Sequence, residues 1–235
     1  MATYLTGCQD LRRECEVGGT GPSAVTGQTG ILARLVAWYA NAYKDIQRRH
    51  QNWRWMRVGF TLSTSSGDDS YAYTDCTDDL TSVAIARFSR WWADDVGDPW
   101  KIYLTSAGVS TERYLIFLQW NYFKQIYKIG SQTNGYPAHV SIDPQNNIRL
   151  GPKPDGTYTV SGDYQRGVQA LAADGDTPDF PSDYHDLIVY YAMEKYGRNA
   201  IAPEALERAL TEGGRLMRSL ELNQLHAVEL AGPLV

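Results

Sequence analysis

Residues 27–57 read GQTGILARLVAWYANAYKDIQRRHQNWRWMR, and this stretch decides how the rest of the chain is organised. Apolar side chains recur in it at steps of three and four residues, which is typical of one face of a helix: Ile31, Leu35, Trp38, Ala42 and Ile46. Thr29 stands where an N-cap residue is favoured. From Trp53 the period changes to two, so the stretch predicts a long helix that leads directly into β-structure.

Further helices are predicted near both ends of the chain. One covers Thr6 to Val17, one starts at Ser182 or Asp183, and one has Pro203 at its first position. Inside the last helix, Gly213 and Gly214 cost about 1 kcal/mol each relative to alanine. We interpret this pair as a place where another backbone, from the same subunit or a neighbour, comes close.

The middle of the chain alternates in period two and is rich in turn residues. We predict a hairpin of strands 58–64 and 70–74, a strand at 100–104, a helix at about 111–129, and a meander of strands 137–143, 147–150 and 157–165. The fold class is therefore α+β, with a helical bundle formed by N- and C-terminal helices and an inserted antiparallel β-domain. The predicted boundaries are 1–54 with 166–222 for the bundle, 55–165 for the insert, and 223–235 for a C-terminal extension.

Composition and motifs argue against enzymatic chemistry. The 235 residues carry a net charge of −5, which disfavours tight DNA binding, and no apolar run is long enough to span a membrane. The loop 21–29 misses the spacing and the lysine of a phosphate-binding loop. The acid pairs fall in turn-like segments, the four histidines lack ligand spacing, and Cys8, Cys15 and Cys76 read as small core residues. We therefore predict no catalytic residue, no metal ligand and no cofactor.

The aromatic residues indicate a protein with large contact surfaces. Seven tryptophans and sixteen tyrosines stand against five phenylalanines, and Trp and Tyr are enriched at protein interfaces. Some of them must be core residues. A set of candidates for an inter-subunit or tail interface follows: Trp53, Trp55, Trp91, Trp92, Gly213 and Gly214. A sugar-binding groove is the alternative, with Trp91, Trp92 and Trp100 beside Asp94 and Asp95.

The end of the chain is too apolar for a solvated tail. It carries Leu225, Val228, Leu230, Leu234 and Val235 around a Gly232–Pro233 breaker. Such a strap often docks on another surface, and simple fraying is the alternative.

Four stretches, taken in order and spacing, resemble the head–tail adaptor (connector) proteins of tailed bacteriophages. They are GTGPSAVTGQTGILARLVAWYANAYKDIQ followed by NWRWMR, then DPWKIYLTSAGVSTERYLIFLQWNYFKQIY, then IRLGPKPDGTYTVSGDYQ, and finally DGDTPDFPSDYHDLIVYYAMEKYGRNAIAPEALERAL. Residues 77–98 and those after Leu222 match that family poorly. Partner-specific contacts are expected to differ there.

The resemblance implies a structural virion protein rather than an enzyme. Such adaptors form a homo-oligomeric ring, usually of twelve copies, which sits below the portal in the neck, extends the DNA ejection channel and gives the tail or nozzle protein its docking face. The C-terminal segment commonly reaches the portal, so the apolar residues from Leu225 to Val235 become candidate portal-binding residues. DNA passes through the lumen without sequence-specific binding, no membrane is involved, and assembly takes place in the host cytoplasm.

Two other functions stay open from the residues alone. One is a carbohydrate-binding or glycan-hydrolysing tail module that uses the tryptophan groove. The other is a tail-completion or gateway protein, which differs from an adaptor in its position along the tail axis. For the adaptor, the acidic balance predicts a lumen face that is acidic or neutral.

Overall fold

The structure, a computed structural model, describes residues 2–94 and 99–225. In those ranges the helices are α1 (Tyr4–Glu14), α2 (Gly30–Arg49), α3 (Trp120–Tyr127), α4 (Asp186–Ala200) and α5 (Pro203–Gln224). The strands are β1 (Arg57–Ser63), β2 (Ser70–Tyr71), β3 (Cys76–Asp78), β4 (Arg90–Trp91), β5 (Lys101–Leu104), β6 (Arg113–Tyr114), β7 (Ile116–Phe117), β8 (His139–Ile142), β9 (Ile148–Gly151) and β10 (Tyr158–Gln165). The chain divides into two compact units, one joining the residues up to Met56 with those from Val168 onward, and one covering Arg57–Gly167.

The helical unit is built around α2, as the apolar periodicity predicts. Leu35, Tyr39 and Ile46 are completely buried, and α2 packs against α1 and α4 while α4 packs against α5. Ile31, at the start of the predicted apolar face, is exposed instead. Thr29 occupies the N-cap position of α2, but its side chain makes no capping hydrogen bond.

The first helix begins earlier than the sequence predicts. Its N-cap is Thr3, whose hydroxyl accepts a hydrogen bond from the Thr6 backbone N–H at 3.3 Å, while the Thr6 hydroxyl accepts one from the Thr3 N–H at 2.7 Å. Thr6 is therefore the third residue of the helix in a capping box, rather than the residue that opens it.

The β unit contains two sheets that share one core. Among the described residues, one sheet has the order β3-β1-β10-β5-β6, with β4 also paired to β10, and the other has the order β2-β9-β8-β7. Phe60, Ile102 and Val160 from the first sheet and Val140 and Leu150 from the second belong to a single buried cluster. The α+β class, with terminal helices on either side of a β region in sequence, is confirmed.

Strand pairing differs from the prediction at two places. β1 pairs with β10 and β3, not with β2, so the hairpin predicted from 58–64 and 70–74 does not form. β8 and β9 form the predicted hairpin, but β10 leaves it for the other sheet, and the meander is therefore wrong. In addition, β7 and β8 run parallel in a sheet that was predicted to be antiparallel. Period-two patterns fix which side chains share a face, and they do not specify the partner strand.

The predicted helix at 111–129 is also wrong over its first half, because α3 starts only at Trp120. The Thr111 hydroxyl accepts a hydrogen bond from the Leu104 N–H at 3.1 Å and donates one to the Gly108 carbonyl, so it holds a turn rather than capping a helix. Leu115 is buried between the exposed residues Tyr114 and Ile116, which is the alternation of extended chain.

Candidate functional site

The carboxylates that the sequence singles out as pairs hold loops together. Asp78 accepts hydrogen bonds from the Tyr164 hydroxyl at 2.5 Å and from the Leu80 and Thr81 N–H groups at 2.8 and 3.0 Å. Burial opposes ionisation of Asp78, but these hydrogen bonds outweigh it and lower its pKa. Asp174 and Asp176 likewise accept backbone N–H groups, at 2.6 Å from Val25 and 2.6 Å from Ala172.

The histidines and cysteines are placed as packing residues. The Tyr127 hydroxyl lies 2.7 Å from His139 Nδ1, and His185 Nε2 lies 3.0 Å from the Phe180 carbonyl. Burial raises the pKa of each of the three cysteine thiols to about 12, so they stay protonated at neutral pH. Over residues 2–94 and 99–225, no three His, Cys, Asp or Glu side chains are grouped closely enough to hold a metal ion. His226 lies outside the described residues.

The first tryptophan pair lies beside the helical core. Trp53 has no exposed surface, and its indole Nε1 donates to the Ile46 carbonyl at 3.2 Å. Its ring stacks on Trp55 at 4.3 Å between centroids, and Trp55 is partly exposed. Of this pair, Trp55 has surface for a partner, and its interface role stays a prediction.

The second group of tryptophans does not form the groove that a sugar-binding module would need. Trp91 and Trp100 are buried in the β core and contact Phe60 at 4.8 Å. Trp92 is partly exposed, but the guanidinium groups of Arg90 and Arg57 lie over its ring at 3.9 and 4.9 Å. A sugar platform requires a free aromatic face, so the carbohydrate-binding alternative loses the residues on which it depended. Asp95 lies outside the described residues.

The glycine pair in α5 has two different environments. A Cβ added at Gly213 would lie 3.4 Å from Tyr190 Cβ, whereas a Cβ at Gly214 would meet no atom within 4 Å. The close helix–helix approach that sequence reasoning assigned to this pair occurs at Gly197 of α4, where an added Cβ would lie 3.0 Å from the Leu206 backbone N. Gly197 is itself a glycine inside a predicted helix, so the sequence could have indicated this close approach. Gly214 is exposed, and its interface role stays a prediction.

The last turn of α5 is tied to the end of α2. Glu221 Oε1 lies 2.9 Å from both Arg49 Nε and His50 Nε2, and Arg49 Nη1 donates to the Tyr191 hydroxyl at 3.1 Å. Burial opposes ionisation of Glu221, but hydrogen bonds from His50 and Arg49 outweigh it and lower its pKa.

Leu225, directly after this helix, packs partly buried against the helical core. The other candidate portal-binding residues, Val228, Leu230, Leu234 and Val235, lie outside the described residues.

A set of large apolar side chains in the β unit is exposed, and sequence reasoning missed it. The sequence places Tyr122 and Ile126 along one side of the predicted helix, and in the structure they are 60% and 50% exposed. Phe123 forms the buried side of α3; its ring stacks on Trp120 and contacts Tyr127 at 5.0 Å between centroids. Further exposed members are Tyr73, Leu80, Val83, Val109, Tyr114, Ile116 and Ile129.

No helix in the described ranges is long and apolar enough to cross a membrane. In comparisons with known proteins, the family model described as "SU10 adaptor protein" matches residues 2–231. A search of curated proteins finds no match. The family match spans the helices at both ends and the β unit between them.

Proposed function

The chain belongs to the SU10 adaptor protein family, and from this premise we propose that its copies form a closed ring of twelve below the portal. Membership makes it a phage adaptor protein, a structural component of the virion neck. In the proposal the ring extends the DNA channel and offers the tail or nozzle protein its docking face. The ring assembles in the host cytoplasm.

One observation supports the portal contact more than any other. Glu221 fixes the last turn of α5 to Arg49 and His50, so the chain leaves the helical unit from a defined point at Leu225. The residues that follow are mostly apolar and read HAVELAGPLV. A rigid exit followed by an apolar segment suits docking into an apolar groove of a larger partner. We propose that this segment binds the portal.

The net negative charge of the chain supports a channel that DNA passes through without binding tightly. The chain has 22 Lys and Arg against 27 Asp and Glu. Proteins that grip DNA neutralise phosphates with clustered cations, and net negative charge disfavours that. The proposed ring therefore lets DNA move through without holding it.

Removal of the end of the chain tests the portal contact. We expect a chain that lacks residues 224–235 to lose portal binding by at least about a hundredfold, because the apolar contact area is gone. Its thermal midpoint should fall only slightly, because Leu225 is lost from the edge of the helical core while Glu221 and the fully buried residues remain. Co-sedimentation with purified portal measures binding, and circular dichroism measures folding.

A matched control keeps the length and composition of the segment and changes its order. Scrambling residues 226–235 should weaken portal binding nearly as much as deletion does. Undiminished co-sedimentation of the truncated chain with portal would refute the proposed contact.

A further inference from the structure

The β unit has two opposite sides, and each carries its own exposed residues. β2 and β3 form one edge of each sheet and are joined by residues 72–75. β6 and β7 form the other edges and are joined by Leu115 alone. The unit therefore has a β2/β3 side and a β6/β7 side, separated by the width of the sheets.

The β6/β7 side is apolar. Tyr114 in β6 and Ile116 in β7 are 64% and 60% exposed. Tyr122 and Ile126, four residues apart, share one flank of α3, and the exposed Ile129 follows just after the helix ends. Lys128, the C-cap residue of α3, pairs with Asp69 immediately before β2. α3 begins three residues after β7 ends, so Tyr122 and Ile126 lie on the helix that directly follows the β6/β7 side.

The β2/β3 side is also apolar, and it is acidic. Residues 79–85 fold back along β3 through hydrogen bonds from Asp78 N–H to the Val83 carbonyl at 2.8 Å and from Ile85 N–H to the Cys76 carbonyl at 3.0 Å. This segment exposes Leu80 (68%) and Val83 at the outer rim. Exposed carboxylates near this side include Asp68, Asp75 and Asp79.

The charged groups of the two sides have opposite sign. On the β6/β7 side, Arg113 is exposed beside Tyr136 at 4.9 Å, while the nearby Lys101 and Glu112 offset each other in a pair at 3.6 Å. Among the described residues, no ion pair joins Arg113, Asp75 or Asp79 to a group of opposite charge. Arg87, also on the β2/β3 side, is half-buried and engaged in contacts of its own.

We propose that the β6/β7 side of one copy binds the β2/β3 side of the next copy, so that the β units form a continuous tier. This rests on the proposed ring and names the surfaces that build it. Two unlike patches on opposite edges make a head-to-tail contact, which generates a ring when the rotation closes. A contact between two β6/β7 sides, or between two β2/β3 sides, would instead bring charges of the same sign together.

The binding partner is a second copy of this chain because every copy supplies both halves of the contact. Such a contact would also bury the exposed apolar residues of α3. A helix that is apolar on both its inner and its outer flank is typical of one that is buried on both. Ile116 is exposed on the β6/β7 side and Leu80 on the β2/β3 side, so these two residues serve as test positions.

The experiment uses three single substitutions in the full chain. Ile116→Asp disables the β6/β7 side, Leu80→Asp disables the β2/β3 side, and Ile201→Asp changes an isoleucine of the helical unit that is 89% exposed. All three positions are exposed, so folding should be unaffected, which thermal unfolding checks. Sedimentation velocity then measures assembly of the chain alone and together with purified portal.

We expect Ile116→Asp and Leu80→Asp each to raise the concentration needed for half-assembly by at least about tenfold. Ile201→Asp should behave as the unaltered chain does. A mixture of Ile116→Asp and Leu80→Asp chains should give a heterodimer and nothing larger, because each variant keeps the side that the other lacks. An isologous contact would not produce this pairing.

The outcomes separate this inference from the proposed function. Variants that assemble like the unaltered chain, or a mixture without heterodimer, would overturn the side-to-side contact. Chains that bind the portal only as separate monomers would do the same while leaving the portal contact intact. Rings that depend on both sides but do not bind portal would support the contact and contradict the position below the portal.

Discussion

At the scale of single residues, Asp143 shows how a buried carboxylate stabilises the β unit. It is 3% exposed and accepts hydrogen bonds from the Gln145 and Asn147 N–H groups at 2.9 Å each. Arg149 Nη2 pairs with it at 2.8 Å, which ties the turn after β8 to β9. Burial opposes ionisation, but the hydrogen bonds from Asn147, Arg149 and Gln145 outweigh it and lower the pKa of Asp143.

Asp143→Asn should lower the free energy of unfolding at pH 7 by about 2–4 kcal/mol, because Arg149 then keeps only the longer pair with Asp69 at 3.6 Å. The exposed Asp68→Asn is the matched control and should cost less than about 0.5 kcal/mol. A folded-state pKa below the unfolded value means that the stabilisation is complete above the ordinary value of about 3.9 and is lost as pH falls through the folded pKa.

Urea unfolding at pH 7 and at several values below pH 4 measures the difference between the two chains. The gap between the unaltered chain and Asp143→Asn should narrow as the pH drops. A gap that stays constant with pH would show that the charge of Asp143 is not the source of the stabilisation.

The tryptophans show what a residue type predicts and what it does not. Their abundance indicates large contact surfaces, and Trp53, Trp91 and Trp100 do make large contacts, but inside their own unit. An amphipathic ring satisfies its N–H equally well from a core carbonyl or from a partner. Trp53 Nε1 donates to Ile46 and Trp100 Nε1 to the Trp92 carbonyl, and composition alone cannot foresee either contact.

At the scale of elements, Gly214 lowers the stability of α5, and no packing contact within the described residues requires a glycine there. It is exposed in the middle of the helix, and a Cβ there would meet no atom within 4 Å. Gly214→Ala should therefore raise the free energy of unfolding by about 0.5–1 kcal/mol. Gly197→Ala in α4 is the contrasting control and should be destabilising, since its Cβ would lie 3.0 Å from the Leu206 backbone.

Thermal unfolding of both variants checks this prediction, and an unchanged or lower midpoint for Gly214→Ala would contradict it. Ring assembly of the same variant tests the interface role of Gly214. A more stable chain that assembles poorly would place this glycine at a contact between copies. A more stable chain that assembles normally would remove that role.

The elements were predictable where one periodicity ran long enough, and less so where pairing is non-local. The apolar steps of α2 and the proline that starts α5 place these helices within a few residues. The partners of β1 and β10 did not follow from sequence, because these strands are about a hundred residues apart and their alternation fixes faces only. Whether Tyr122 and Ile126 are buried did not follow from sequence, because an apolar helical flank looks the same whether it packs on its own chain or on another.

At the scale of the whole molecule, the two proposed contacts involve different units of the described residues. The helical unit carries the fixed exit of the C-terminal segment, and the β unit carries the two apolar sides. Each unit has its own buried cluster. A substitution in one unit can therefore leave the core of the other intact, so the proposed portal contact and the proposed side-to-side contact can be tested separately by mutation.

We expect the proposed ring to bind weakly to the DNA that would pass through it. Non-specific DNA-binding proteins have dissociation constants of about 10⁻⁴ to 10⁻⁶ M at physiological salt, and this affinity comes from phosphate neutralisation. A chain with net charge −5 lacks the excess of cations for this. We expect a dissociation constant weaker than about 10⁻⁴ M for a duplex of sixty base pairs, measured by fluorescence anisotropy near 0.15 M salt. Micromolar binding with a steep salt dependence, or a strongly basic lumen in an electron-microscopy map of the ring, would contradict a channel that DNA passes without adhering, because both require clustered cations facing the duplex.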